Sequence, residues 1–357
     1  MDLMAPATVA PELARAAAPV VEALRAEELR HRDTAIVMVG AGTHADVGNP
    51  VRAAAVRELR IPAGVVTYDP DDMTVTVLAG TTVAELTAVV GEAGQEVALD
   101  PRDERATVGG AIAAGLSGIR RLRHGPVRDT LLEVRVVDGS GTLVKGGGPV
   151  VKNVTGYDLP RLFVGSLGTL GAIVQVTLRC RPRAGRAAWF QVDTDEPDAA
   201  EAMRLALYRP SAVLFDGHTM HVLLEGHAAD LTEQANESQL GTEIERGPAL
   251  PDGAHRGRIS VATGEVAALG RSLATRVPAA RWCAELGVGT VHVACDHEAD
   301  LVLARDAAVA HGGWLLREAG APGIDGFGVA IPNAALAARV KAAFDPQNRF
   351  APGRLPL

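Results

Sequence analysis

The sequence predicts an α+β protein: two small α/β subdomains, a separate sheet-and-helix unit and a returning tail. Three observations carry that expectation. Residues 35 to 99 run strand, glycine turn, strand, helix, strand. Residues 106 to 182 alternate glycine-rich loops with β-branched runs. Beyond a break at "RPRAGR", one strand–helix–strand–strand–helix pattern occurs twice. At 357 residues the chain exceeds the usual size of a single core, so several units are the physical expectation.

The elements follow in order. "TAIVMVGAGTHADVGNP" is an apolar strand at 35 to 39 that enters a glycine turn closed by Asn49-Pro50. "MTVTVLAG" alternates with period two, as a half-buried strand does, and Thr82-x-x-Glu85 then forms a capping box for a helix ending near Gly94. A strand is expected at 96 to 99. From 106 to 130 small residues and glycines allow only loop, short helix and loop. "LLEVRVVDGSGTLVKGG" reads as a hairpin turning at Asp138-Gly139, and "AIVQVTLRCRP" as a strand stopped by Pro182. These runs define a unit over 1–184, with subdomains at about 1–98 and 99–184.

A second unit is expected over 185–325. Strands at 187–192, 211–215 and 219–225, with helices at 196–208 and from 228, are echoed by strands at 258–262, 280–286 and 289–295 and helices at 264–276 and 297–310. Two such repeats suggest a smaller ferredoxin-like cap sheet. Residues 326–357, ending "KAAFDPQNRFAPGRLPL", read as helix end, turn and an extended arm.

Composition narrows the function. With 47% hydrophobic residues and a mean hydropathy of +0.12, the chain can build cores. A net charge of −8 and a pI of 5.7 argue against a nucleic-acid partner. Cys180, Cys283 and Cys295 are far apart with no CxxC pair, so the chain supplies no cysteine-held cluster. The first thirty residues mix acidic and basic side chains among alanines and read as an amphipathic helix rather than a signal peptide. Residues 162 to 178 nearly reach spanning length, but their glycines, with Ser166 and Gln175, favour a buried loop and strand over a membrane span.

The glycines point to chemistry. Glycine lets backbone N–H groups approach a ligand and form a concave nest for phosphate oxygens. Three stretches qualify: Gly40-Ala41-Gly42-Thr43, Thr107-Val108-Gly109-Gly110, and Gly165 through Gly171. Several nests with strands between them suit an extended dinucleotide whose ring also needs backbone contacts. The first stretch also fits G-x-G-x-x-A after a strand, yet Gly48-Asn49-Pro50 interrupts the helix that a nicotinamide-binding Rossmann unit requires.

In order, "AGTTVAELTAVVGEAGQ", "TVGGAIAAGLSGIRRLRHGPVRDTLLEVRVVDGSG", "GGGPVVKNVTGYDLPRLFVGSLGTLGAIVQVTL" and "FDPQNRFAPGR" resemble the FAD-binding oxidoreductases of the vanillyl-alcohol oxidase and p-cresol methylhydroxylase (PCMH) type. The likeness is fullest over 70–182 and leans toward the FAD-binding E-type subunits of bacterial glycolate oxidases. It implies a PCMH-type FAD domain and non-covalent FAD. It places Gly40, Ala41, Gly42, Thr43 and His44 around the pyrophosphate, and Thr107, Gly109 and Gly110 beside phosphate and ring. Ser117, Gly118, His124, Gly125 and Val127 would line the flavin and adenine side; Gly168, Gly171 and Ile173 would meet the adenosine half. Lys152, Asn153, Gly156, Tyr157 and Asp158 match a K-N-x-x-G-Y-D signature. Two departures stand out: Val39, where relatives often carry Arg, and Ala351, where the tail usually carries Asn.

The resemblance further implies a 2-hydroxy acid substrate, glycolate or D-lactate, and a complex with a metal-bearing, FAD-containing D-type subunit and an iron–sulfur F-type subunit. It implies a cytoplasmic protein whose membrane association, where present, runs through its partners. For catalysis, Arg120, Arg123 and His124 are the candidates, in a cationic group with Arg121 and Arg128. That group suits a substrate carboxylate, the FAD phosphates, an acidic partner surface or plain solvent exposure. No metal site is expected: "VHVACDH" reads as a strand-end His292 and a helix N-cap Asp296, and His218 and His221, three apart on a strand, face opposite ways. Two other readings stay open, a cofactor-free subunit of the same fold and a stand-alone FAD-dependent alcohol oxidase.

Overall fold

The computed structural model describes residues 11–25, 34–148 and 158–357. Helix α1 (Pro11–Arg25) buries Leu13, Ala16 and Val20 and precedes two parallel strands, β1 (Thr34–Met38) and β2 (Ala55–Leu59). Next come β3 (Val65–Asp69), β4 (Thr74–Leu78), α2 (Val83–Gly91), β5 (Gln95–Glu96), α3 (Val108–Ala114), α4 (Arg121–His124), β6 (Leu131–Val137), β7 (Leu143–Gly147), α5 (Leu159–Phe163), β8 (Ala172–Arg179) and β9 (Arg181–Pro182). An antiparallel sheet of order β3-β4-β8-β6-β7 is the backbone of this region, and β8, buried along nearly its whole length, is its central strand.

Local chemistry sets the joints. The capping box forms as expected: Thr82 Oγ1 accepts from Glu85 N at 3.1 Å, and Glu85 Oε2 accepts from Thr82 N at 2.8 Å. Strand β5 stops at Glu96, short of the expected 96–99, because Leu99 N turns back to Val97 O and Asp100 adopts a left-handed φ of 43°.

The second region holds β10 (Arg186–Asp193), α6 (Pro197–Ala206), β11 (Ala212–Phe215), β12 (Thr219–Gly226), α7 (Ala228–Glu237), β13 (Thr242–Ile244), β14 (His255–Ser260), α8 (Val266–Arg276), β15 (Arg281–Glu285), β16 (Thr290–Cys295), α9 (Glu298–Ala310) and β17 (Trp314–Ala319). One eight-stranded sheet runs β13-β10-β12-β11-β15-β16-β14-β17. Each half has its fourth strand outermost, then its first, third and second, which is the ferredoxin-like order; the halves meet where Leu214 opposes Glu285. Helices α6 to α9 cover one face through Phe190, Val222, Ile259, Val291 and Leu315. Alternation sends Gln191, His221, Arg258, Glu285 and His292 to the other face, away from α6 to α9.

The tail closes on the first region. Helix α10 (Ala334–Phe344) leads to Asp345, and Phe350 forms a parallel bridge with Ile36 of β1. No helix among the described residues is long and apolar enough to cross a membrane.

Candidate cofactor site

Three glycine stretches converge on one cleft of about 350 Å³. The first leaves β1 at Val39 and forms turns, with no helix, as Gly48-Asn49-Pro50 led one to expect. The second opens α3: Thr107 is its N-cap, accepting from Gly110 N at 3.2 Å, while Gly109 N donates to Ala79 O at 2.8 Å. The third packs on α3 through Gly165 N to Ile112 O and Leu167 N to Ala113 O.

The glycines play two distinct parts. At Gly40 and Gly109 the backbone is pressed against protein, since an added Cβ would fall on the Thr107 side chain or within 2.7 Å of Ala79 Cβ. Gly42 and Gly168 differ: both are left-handed, at φ 76° and 72°, both line the cleft, and a Cβ on either would meet no protein atom within 4 Å. Side chains there would project into space that the fold keeps open. Such a cradle fits an extended cofactor approached by backbone.

Electrostatics fit as well. Arg354, from the tail, is 9% exposed and donates through Nη2 to Ala45 O at 2.9 Å and Val47 O at 2.6 Å, fixing the first loop. Arg354 lines the cleft, and its buried Nε has no hydrogen-bond partner among the described residues. Burial pushes the His44 imidazole below its ordinary value, more than Glu318 raises it, so the ring is neutral near pH 7; its Nδ1 lies 3.0 Å from Thr43 Oγ1.

Gly40, Ala41, Gly42, Thr43, His44, Thr107, Gly109, Gly110, Gly168, Gly171 and Ile173 all line this cleft. Ser117, Gly118, His124, Gly125 and Val127 do not line it. Ser117 Oγ accepts from Val127 N at 3.1 Å, Val127 is in the core, and Gly118 is packed on Asp100. Lys152, Asn153, Gly156 and Tyr157 lie outside the described residues; Asp158 pairs with Arg161 at 2.6 Å. The sequence singled out neither Glu58 nor Ile61, which also line the cleft; the parallel pairing of β1 and β2 brings them there, and no local pattern signals it.

The cationic group is engaged. Arg120 binds Asp100 at 2.6 Å, Glu96 at 2.7 Å and Glu225 at 3.0 Å, and Arg123 donates to Glu225 O at 2.6 Å. His124 Nε2 meets Glu225 at 3.3 Å, and Arg181 reaches its Nδ1 at 2.5 Å. Glu96, His124 and Glu225 bring ligand-capable atoms within 4.8 Å of one another, but Arg120 and Arg181 already take the place of a cation there. In the second region, His292 lies within β16, 2.7 Å from Glu285; Asp296 pairs with Arg281 at 2.7 Å, and His297 rather than Asp296 is the N-cap of α9. His218 precedes β12 and pairs with Asp195.

Residues 7–147 match the family model described as an FAD binding domain. The chain is 40% identical over 217 residues to glycolate oxidase subunit GlcE of Escherichia coli (59% of this chain, 61% of that one). It is 33% identical over 150 residues to glycolate oxidase subunit GlcD of Bacillus subtilis (42% and 32%), and 32% over 171 to the mitochondrial D-lactate dehydrogenase [cytochrome] 1 of Saccharomyces cerevisiae (46% and 29%). The matches span less than two thirds of these relatives. Among solved structures, an alkyldihydroxyacetonephosphate synthase aligns over 95% of this chain and 74% of its own with a TM-score of 0.67 at 15% identity, a likeness of fold. The chain therefore carries a PCMH-type FAD-binding domain, and FAD is its cofactor.

Proposed function

We propose that this chain is the FAD-carrying subunit of a complex that oxidises a 2-hydroxy acid of the glycolate or D-lactate class. The observation that carries the reading is the cleft itself: three glycine stretches, with Gly42 and Gly168 open to it, in a chain whose relatives bear the names of glycolate oxidase subunits and D-lactate dehydrogenases. Bound FAD would supply the acceptor for a hydride from the hydroxyl-bearing carbon. This chain's residues would hold it: the loop around Gly40 to His44, braced by Arg354, and the first turn of α3.

The engagement of Arg120, Arg123 and His124 with carboxylates and a carbonyl favours completion of the reaction by a partner over oxidation by this chain alone. The partners proposed are a D-type subunit bearing metal and FAD, and an iron–sulfur F-type subunit that accepts the electrons. With three dispersed, buried cysteines, this chain offers no cluster ligand set of its own. The test is the visible spectrum of the purified chain under anaerobic conditions, with glycolate or D-lactate added, then repeated with the partners. Flavin that bleaches only with the partners supports the complex. Bleaching of the isolated chain would overturn it in favour of a stand-alone oxidase.

A further inference from the structure

Strands β1 and β2 are parallel, with Val37 opposite Glu58. Alternation turns Val56 and Glu58 toward the cleft with Val37, while Leu59 enters the core. Two features of this edge are not explained by contacts among the described residues. Val56 is 48% exposed, and among the described residues no hydrogen bond or ion pair engages the Glu58 carboxylate. One residue beyond β2, exposed Arg60 turns back through Nη1 to Gly40 O, which sets a guanidinium at the first glycine loop. Its remaining N–H groups have no partner among the described residues.

An apolar shelf, a carboxylate unpaired among the described residues and a cation thus follow one another over five residues, the first two lining the cleft and the third bonded to the loop at Gly40 O. A purine, a ribose diol and a phosphate present the complementary series. A carboxylate can accept from both hydroxyls of a vicinal diol, and a charged acceptor makes those bonds strong. Doubly wound nucleotide-binding folds put an acidic residue in an analogous place, after the strand that follows the glycine turn. Here the strand relation is kept, although turns replace the intervening helix.

We propose that the C-terminal end of β2 reads the adenosine end of FAD, Glu58 accepting from the ribose diol and Arg60 facing the adjoining phosphate. The proposal rests on the FAD assignment and adds the residues that select the nucleotide half. Arg60 would also return to the loop the charge that Val39 leaves out.

The experiment titrates apo-protein with FAD, followed by flavin fluorescence, then displaces it with ADP or with ADP lacking both ribose hydroxyls. Glu58→Ala should weaken FAD by roughly 10- to 100-fold, the loss of a bond to a charged group, with Glu58→Gln intermediate. The wild type should prefer ADP over its diol-free analogue by about tenfold or more, and Glu58→Ala should erase that preference, which general loosening of the fold would not do. Arg60→Ala should weaken FAD and ADP alike, by about tenfold at low salt and less at high salt. If wild type binds FAD while both Glu58 variants keep its affinity and the diol preference, the proposal is overturned and the cofactor stands. If folded wild type takes up no FAD, the cofactor assignment falls and the proposal with it.

Discussion

Replacing Gly40 and Gly42 separately with alanine distinguishes the glycine that makes the fold from the one that makes the site. At Gly40 the new Cβ would fall on Thr107 Oγ1 and lie 2.8 Å from its Cγ2 and 3.1 Å from its Cβ. Rotating Thr107 cannot relieve this, because both γ atoms are in contact and the cap bond from Gly110 N would be lost. Overpacking of about 1–3 kcal/mol plus a lost cap of about 1 kcal/mol gives Gly40→Ala a cost of roughly 2–4 kcal/mol. At Gly42 no protein atom is within 4 Å, so the cost is the left-handed φ of 76° alone, about 1–2 kcal/mol. FAD should read the pair differently. Gly42 lines the cleft and its added methyl would occupy open space there, so the FAD dissociation constant of Gly42→Ala should rise by about tenfold or more even in well-folded protein. The assays are urea denaturation of the apo-protein and FAD titration. An apo-protein more sensitive to Gly42→Ala than to Gly40→Ala, or an unchanged FAD affinity in Gly42→Ala, would refute the division.

Three further outcomes follow from the same contacts. Burial opposes ionisation of Glu225, but His124 and Arg120 outweigh it and hold its carboxyl at about 2, below the ordinary 4.5. A depressed value stabilises the fold above about 4.5 and is lost as pH falls through about 2; discounted for partial exposure this is about 2 kcal/mol, so Glu225→Gln should flatten the acid limb of a stability–pH curve between pH 5 and 2. Asp345, 1% exposed, accepts from Phe350 N at 2.7 Å and pairs with Lys341, so Asp345→Asn should cost about 3–5 kcal/mol in denaturant; Lys341→Met in that background should cost less than it does alone, and strict additivity would refute the coupling. Burial raises the thiols of Cys180, Cys283 and Cys295 to about 11, 12 and 11, so a thiol reagent at pH 8 should react slowly with native protein and label all three cysteines only after unfolding.

What could be read in the sequence was local. Thr82 and Glu85 are three residues apart and needed only a helix start to form both capping bonds. The duplicated strand–helix pattern survived because each repeat turns its periodic apolar face into one core that the two share. The fourth strand of each repeat was not legible. Thr242–Ile244 is short and mostly exposed, and Trp314–Ala319 becomes a strand by pairing with β14, more than fifty residues earlier. Asp296 looked like a cap because its position suited one, but Arg281 claims its carboxylate. The arginine group showed the same limit: its density was plain, whereas Glu96 and Glu225 reach Arg120 only through the tertiary fold.

Those pairings bear on where a substrate could bind. The face of the eight-stranded sheet opposite α6 to α9 carries ionisable groups, yet Arg258 is held by Glu318 at 2.8 Å and by Ser117 O at 2.9 Å, and His292 by Glu285 at 2.7 Å. A substrate carboxylate that took Arg258 or Arg120 would leave a buried glutamate short of its partner, at a cost of about 3–5 kcal/mol. A small acid bound with millimolar affinity gains only about 4 kcal/mol in all, so the exchange leaves almost nothing. Within the cleft, Arg354 is committed to the first loop, and Glu58 repels a carboxylate. For the proposed function, the balance favours a hydroxy acid met by groups from a partner while this chain holds FAD. It also sets the decisive comparison: glycolate should bind the isolated holo-chain more weakly than the assembled complex, and equal affinity in the two would count against the shared site.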